Sequence, residues 1–498
     1  MGDGQPGNGI IMNKQGKIQN YINGSFTDSD SQSVYQKQNP HTGKFLMNVV
    51  EGSKTDVEKA VLAAKQSYKT WSKLTPVQRG EYLYAIVQEM INVSAALAGV
   101  ISTDTGKSQK DALGETNGAI ALGRFMAGEG QRFYGRTTTS GQLNKYPMII
   151  REPVGVAALI ISFNTPIANI AWKVFPALIC GNTVVLKASE DTPLTADFFT
   201  QLVHKANLPP GVFNVIYGTG SEVGSMLTNH TSVNLISFTG STAVGKIISE
   251  SVAHRLVKVF LELGGKNPLV VCDDADLDKA VEWAVLSAFS NAGQRCASAS
   301  RIIVFAEVYD LFKKKFLKRT SELSLGNNNT DDLGPVINER QMNRILTAIN
   351  RGIEEGATLL CGGKRSTKEN LLHGWYIEPT IFEGASPDSF ISQEEVFGPV
   401  TSLYKVNNLE QALELANNAQ YGLTACIHTT NIHRAQYFTR NVEAGVAVIN
   451  GGTFGSEPNM PFGGVKNSGN GLREPGTEAL EVYSNYKNII TIVDPTKI

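Results

Sequence analysis

Between Val154 and Ala188 the chain reads "VGVAALIISFNTPIANIAWKVFPALICGNTVVLKA". The first eight residues, Val154–Ile161, form an unbroken run without a polar side chain, which predicts a strand buried on both faces. "PIANIAWKVFPALICG" follows with helical spacing and stops at Gly181, and "TVVLKA" returns to strand. The same alternation continues. "TPLTADFFTQLVHKAN" is a helix with proline near its start, then "VFNVIY", "SEVGSMLTNH", "VNLISFTG", "STAVGKIISESVAHR" and "VKVFLEL" read strand, helix, strand, helix, strand. Repeated βαβ units predict an open, doubly wound parallel sheet of the dinucleotide-binding type.

The flanks differ. Thr55 to Phe133 carries apolar residues at i, i+3, i+4 spacing and reads helical. "TTTSGQLNKYPMIIREP" (Thr137–Pro153) predicts strands or a hairpin. After the sheet comes a second α/β stretch: "NPLVVCDD" as a strand, "LDKAVEWAVLSAFSNAG" as a helix with Val281, Ala284, Val285, Ala288 and Phe289 on one face, and "SRIIVFA" as a strand. Gly451–Gly476 is rich in Gly, Asn and Pro and predicts a long functional loop, and "EVYSNYKNIITIV" is strand-like.

Bulk properties narrow the classes. A chain of 498 residues corresponds to roughly two to four domains. Lys plus Arg is 45 against 46 Asp plus Glu, so no basic surface recommends nucleic acid or an anionic membrane as partner. The run "LFKKKFLKR" (Leu311–Arg319) has helical spacing and reads as a solvated helix face. No apolar run approaches the roughly 18 residues of a spanning helix. The five cysteines, Cys180, Cys272, Cys296, Cys361 and Cys426, are odd in number without CxxC spacing. That argues against a disulfide framework or zinc site and for a reducing, cytosolic setting. The Gly-rich start lacks the pattern of a secretory signal and reads as a loose tail over residues 1–19.

Chemistry-bearing residues gather at element junctions. Cys296, in "FSNAGQRCASASR" (Phe289–Arg301), lies past the end of a helix among small residues that leave room for a substrate. A thiolate there could act as nucleophile, although a single cysteine is more often a small core residue. Glu262, in "FLELGGKNP", ends a strand and could be a general base or a solvated strand end. Asn164, in "ISFNTPIAN", could donate to an oxyanion or simply make a turn. Lys187 and Glu190, in "LKASE", could hold ribose hydroxyls. "FTGSTAVGK" (Phe238–Lys246) puts Gly240 and Gly245 at a strand-to-helix turn suited to phosphate, a weak signal by itself.

Together the ordered segments "LKASE", "FTGSTAVG", "LELGGKNP", "NAGQRCASASR" and "EEVFGPV" (Glu394–Val400) resemble the NAD(P)-dependent aldehyde dehydrogenase superfamily, over a span from about Tyr21 to the C-terminus. The resemblance implies a Rossmann-type cofactor domain (20–136 and 153–262), an α/β catalytic domain (263–477) and a small β oligomerisation element (137–152 and 478–498) joining a homodimer or homotetramer. It implies NAD as cofactor, with NADP as the alternative, an aldehyde and water as substrates, and no metal. Cys296 would be the nucleophile, Asn164 and the Cys296 N–H the oxyanion donors, and Glu262 the base; Lys187 is counted with this catalytic set as well as with the cofactor. Ser162, Phe163, Lys187, Ser189, Glu190, Phe238, Thr239, Gly240, Ser241, Gly245, Glu262, Leu263, Gly264, Glu395 and Phe397 would line the cofactor. Arg124, Thr165, Asn169, Arg295 and Phe454 would face the substrate.

One departure bears on specificity. The family usually has Pro-Trp before the oxyanion Asn and often Phe after it; here Ser162-Phe163 precede Asn164 and Thr165 follows. Thr165 shortens and polarises that wall, Asn169 adds a second polar group, and a small polar aldehyde or semialdehyde is expected. A CoA-acylating relative is the alternative, but such relatives commonly lack the Glu that Glu262 supplies. A non-catalytic relative of the same fold would have lost residues that are all present.

Overall fold

The computed structural model describes residues 16–326, 328 and 330–497. Five strands of the alternating region pair in parallel, in the spatial order Lys258–Glu262, Leu235–Thr239, Val156–Ile160, Thr183–Lys187, Phe213–Ile216, and the antiparallel hairpin Asn20–Ile22/Ser25–Thr27 extends the last edge. The strand that comes first in the chain is therefore central. The next two add on one side and the last two on the other. The order reverses between Val156–Ile160 and Leu235–Thr239, where a doubly wound sheet opens a crevice at its strand C-termini. The strands are buried along both faces, which is why their sequences run apolar without alternation.

The helices Lys54–Trp71, Pro76–Asn92, Ser94–Thr105 and Gln109–Glu129 fill the region expected to be helical. Ser53 and Thr75 close capping boxes on the first two. No single helix among the described residues is long and apolar enough to cross a membrane. The pair Pro76–Asn92 and Ser94–Thr105, bent by 77°, instead sends Leu83, Met90, Leu97 and Ile101 into the main core.

The second α/β stretch forms its own sheet: Thr358–Cys361, Thr380–Glu383, Val400–Val406, Ala299–Phe305, Asn267–Val271, Thr424–His428, Val446–Ile449. All neighbours are parallel except the first pair. Only Leu263–Lys266 separates the last strand of the first sheet from the first strand of the second. The Thr137–Pro153 segment is the hairpin expected, with Lys145–Pro153 paired antiparallel to both Arg136–Thr137 and Ser484–Ile492.

Two expectations need correction. The sequence suggests a loose tail over residues 1–19, yet Lys17–Ile18 already pairs in parallel with Phe45–Val50; residues 1–15 lie outside the described residues. The helix expected to reach Gly293 stops at Phe289. Asn291 and Ala292 take left-handed backbone angles, φ 54° and 53°, and a right-handed helix cannot include them. The apolar face itself is as expected, with Val281, Ala284, Val285, Ala288 and Phe289 all buried.

One buried amide ties the start of the first sheet to the C-terminal segment. Asn182 Oδ1 accepts from the N–H groups of Val154 (2.7 Å) and Gly155 (2.9 Å), and Nδ2 donates to the carbonyls of Ala177 (3.1 Å) and Tyr483 (2.7 Å). Asn182→Ala strands these partners in the interior, and we expect a loss of about 2–4 kcal/mol in unfolding free energy. Urea titration measures it; a change within about 0.5 kcal/mol would show that the amide is not the tie described.

Candidate active site

The cofactor-side residues collect at one edge because each follows the C-terminus of a strand. Ser162 and Phe163 follow Val156–Ile160, Lys187 ends Thr183–Lys187, Phe238 and Thr239 end Leu235–Thr239, and Glu262 ends Lys258–Glu262. Lys187 Nζ lies 2.7 Å from Glu190 Oε2, the lysine buried and the glutamate partly open. Burial raises the Glu190 carboxyl, but the Lys187 ammonium outweighs it and holds the group below its ordinary range. Ser189 Oγ accepts from the Asp191 N–H at 3.3 Å and so shapes this turn. Ser241 caps the helix Thr242–Val252, its Oγ accepting from Val244 N. A Cβ on Gly240 would come within 2.4 Å of the Phe238 ring, and one on Gly245 within 2.6 Å of Leu263. The glycines thus let the chain turn and the helix approach the strand exit. Opposite, Phe397 sits at φ 57° with its ring edge-on to Phe163 at 5.6 Å, and Glu395 Oε1 accepts from Gly265 N at 3.0 Å. Burial raises the Glu395 carboxyl to about 7. A carboxylate for ribose hydroxyls, a helix N-terminus for a pyrophosphate and an aromatic wall on one crevice fit a dinucleotide.

Cys296 is held through its backbone. Asn267 Nδ2 donates to the carbonyls of Cys296 (2.8 Å) and Ser298 (2.9 Å), and Asn267 Oδ1 accepts from Thr424 N (3.0 Å). A Cβ on Gly265 would lie 2.3 Å from the Cys296 carbonyl oxygen. Asn291 Nδ2 donates to the carbonyls of Gln294 (3.2 Å) and Asn164 (3.1 Å). Its strained backbone therefore has a use, since it joins the cysteine loop to the Asn164 loop. The half-buried Cys296 side chain packs against the cluster of Ala297, Leu423 and Phe462, against which Trp172, Val446 and Phe454 also pack. Burial pushes its thiol up to about 12; the neighbouring carboxylates Glu262 and Glu395 add to the rise, and the Arg295 guanidinium opposes it.

Glu262 is 4% exposed and its Oε1 has no hydrogen-bond partner among the described residues. A side chain at Gly463, which has φ +147°, would strike that oxygen at 2.6 Å. Burial raises the carboxyl well above the carboxylate range; the Lys173 ammonium opposes this and Glu474 adds to it. Lys173 is itself committed to Glu474 (3.1 Å) and Ser237 (2.7 Å). A buried carboxyl with a free oxygen beside a thiol can take or give a proton.

The substrate-side residues divide. Asn169 Nδ2 makes long contacts to Ser162 O (3.5 Å), Asn164 Oδ1 (3.4 Å) and Thr165 Oγ1 (3.3 Å). Its amide is thus turned toward the Asn164 loop, where the sequence suggested a free polar group. Arg295 stacks over Phe454 at 5.0 Å and donates from Nε to Ser290 Oγ at 3.1 Å. It has no carboxylate partner within ion-pair distance among the described residues. Arg124 is exposed on Gln109–Glu129 and makes no hydrogen bond or ion pair among the described residues. Four residues outside the sequence reading hold the loops: Asn267, Asn291, Lys107 and Glu115. Only Asn291 carried a local signal, since Asn close before Gly tolerates left-handed backbone.

Comparison with known proteins agrees with this geometry. The aldehyde dehydrogenase family matches residues 26–489. α-Ketoglutaric semialdehyde dehydrogenase of Bacillus subtilis is 38% identical over 482 residues, 96% of this chain and 99% of that protein. Retinaldehyde dehydrogenase 3 of Mus musculus is 39% identical over 477 residues, 94% and 92% of the two chains. Betaine aldehyde dehydrogenase of Staphylococcus aureus, solved in complex with NAD+, superimposes with a TM-score of 0.94 at 34% identity, covering 96% of this chain and 95% of that one. A point mutant of that enzyme, also solved with NAD+, carries a mercaptoethanol-modified cysteine. With its sheets, its crevice and its cysteine loop in this arrangement, the chain belongs to the aldehyde dehydrogenase family.

Proposed function

We propose that the protein is an NAD-dependent enzyme that oxidises a small aldehyde bearing an acidic or polar group to the carboxylate. Cys296 Sγ attacks the aldehyde carbon, and the oxygen that gains charge lies against the Asn164 amide and the Cys296 N–H. Bound NAD would supply the hydride acceptor. Loss of the hydride leaves a thioester on Cys296. Glu262 takes a proton from water, which attacks the acyl carbon and frees carboxylate and thiol. Lys187 and Glu190 hold the adenine-side ribose, Ser241 and the start of its helix the pyrophosphate, and Glu395 and Phe397 the nicotinamide half.

The substrate class rests on one observation. Arg295, next to the nucleophile, is stacked on Phe454 and keeps its charge free of any acidic partner among the described residues. A semialdehyde carboxylate reaching past the cysteine would supply that partner, and the likeness to a semialdehyde dehydrogenase supports the reading. Trp172, Phe454 and Phe462, gathered at the cysteine loop, would wall the substrate. We also propose a homodimer or homotetramer assembled through the Lys145–Pro153 and Ser484–Ile492 strands, whose Tyr146, Ile490 and Ile492 face outward.

Three outcomes are expected. Both Cys296 and Glu262 are raised, so the thiolate and carboxylate fractions grow as pH rises, and turnover climbs from neutral to alkaline. Glu262→Gln keeps the NADH burst but slows the following steady state about 10²–10⁴-fold and removes the carboxylate's share of its pH dependence. Stopped-flow absorbance separates the phases, and loss of the burst itself would move Glu262 to another role.

The second concerns the cofactor. The Glu190 carboxylate repels a 2′-phosphate, so kcat/KM for NAD should exceed that for NADP by at least about tenfold, with the gap narrowed in Glu190→Gln. An NADP preference in the unaltered enzyme contradicts this.

The third concerns Arg295. Arg295→Met should raise KM for succinic semialdehyde about 10–100-fold, as loss of a charge-assisted bond does, and change KM for propanal little. Equal effects on both, or a tenfold advantage of hexanal and benzaldehyde over semialdehydes in the unaltered enzyme, would exclude an acidic substrate.

A further inference from the structure

Asn164 is held by a buried ion pair from outside both sheets. Lys107 and Glu115 have side chains 3% and 6% exposed, with Nζ 2.5 Å from Glu115 Oε2. The same ammonium donates to the Asn164 carbonyl at 2.8 Å. Glu115 Oε1 accepts from the N–H groups of Ile167 (3.0 Å) and Ala168 (3.2 Å), which open the helix Pro166–Ile179 behind Asn164. Lys107 is itself pinned: its carbonyl accepts from Ser102 Oγ at 2.7 Å, and its N–H reaches Thr105 Oγ1 at 3.3 Å. With Asn291 Nδ2 as second donor, the Asn164 carbonyl is fixed from two directions.

An ion pair removed from water is weak in stabilising a fold, because desolvation offsets most of the attraction. Its effect here is positional. Fixing the Asn164 carbonyl and the first turn of the next helix sets where the Asn164 side chain leaves the backbone. The contact from Asn169 to Oδ1 then orients the amide, leaving Nδ2 as its donor.

We propose that Lys107, seated on Glu115, is a positioning residue that aims the Asn164 amide at the oxygen of the reacting aldehyde. The inference rests on the reading of Asn164 as oxyanion donor given above. The test is a double-mutant cycle read by the rate of the NADH burst. Propanal and succinic semialdehyde are supplied at saturating NAD. Lys107→Met should slow the burst about 10–100-fold, the scale of an ångström-level misplacement, while the dissociation constant for NAD changes less than about threefold. Placed on Asn164→Ala, the same substitution should slow the burst less than about threefold further, because the group it aims has gone. Glu115→Gln keeps an acceptor for Ile167 and Ala168 but loses the charge. It should show the same non-additivity, and it carries the cycle if Lys107→Met does not fold.

A burst unchanged in both Lys107→Met and Glu115→Gln overturns the proposal, as does an equal fold-loss in the two Asn164 backgrounds, which is what a merely structural role gives. If Asn164→Ala alone leaves the burst intact, it is the reading of Asn164 that fails, and the positioning role falls with it.

Discussion

The crossing from one sheet to the other takes four residues, Leu263–Lys266, and the site depends on how closely that crossing runs past its neighbours. Before it stands Glu262, the end of the first sheet; after it stands Asn267, the start of the second and the clamp on the Cys296 carbonyl. A Cβ at Gly264 would lie 2.3 Å from Glu395 Oε2, and one at Gly265 would lie 2.3 Å from the Cys296 carbonyl oxygen. Neither glycine has a backbone angle that other residues avoid, so clearance rather than conformational freedom requires them. With both side chains reduced to hydrogen, the crossing passes between the cysteine loop and the Glu395 loop. Base, nucleophile support and cofactor loop therefore share one short segment.

That closeness sets an electrostatic problem. Glu262 and Glu474 are buried, Glu395 is partly buried, and burial raises all three carboxyls, with Lys173 and Arg295 among the cations near this site. Carboxylates near a thiol disfavour the thiolate, and the thiol rises accordingly. The same burial that weakens the nucleophile keeps one carboxyl oxygen of Glu262 unpartnered for a proton transfer. Arg295 eases the thiol while remaining without an acidic partner of its own among the described residues, which links the nucleophile to the charge of the substrate.

The parts legible in the sequence were those with local causes. Apolar runs without alternation mark buried parallel strands, and the strand ends put Lys187, Thr239 and Glu262 on one edge. The helix before Cys296 was read four residues too long because Ser290–Gly293 continues a plausible pattern, whereas Asn291 turns left-handed to serve a partner 127 residues away. Asn169 read as a polar group open to substrate, but its Nδ2 is turned toward the Ser162–Thr165 loop. Lys107, Glu115 and Asn267 act through bonds to residues 29 to 57 positions distant, and no periodicity reports such pairs. Arg124 and Arg295 looked alike in sequence; only packing separates an exposed helix position from a guanidinium stacked at the nucleophile.

The most direct check is covalent. Mixing the Glu262→Gln enzyme, in which the first hydride transfer is kept and hydrolysis slowed, with NAD and succinic semialdehyde should let the acyl-enzyme accumulate. Acid quenching, proteolysis and mass measurement of the peptides locate the acyl group. The account predicts its mass on the peptide carrying Cys296 and on no other cysteine peptide, appearing at the rate of NADH formation. NADH formed at that rate with Cys296 unmodified, or the acyl group found on another residue, would contradict it.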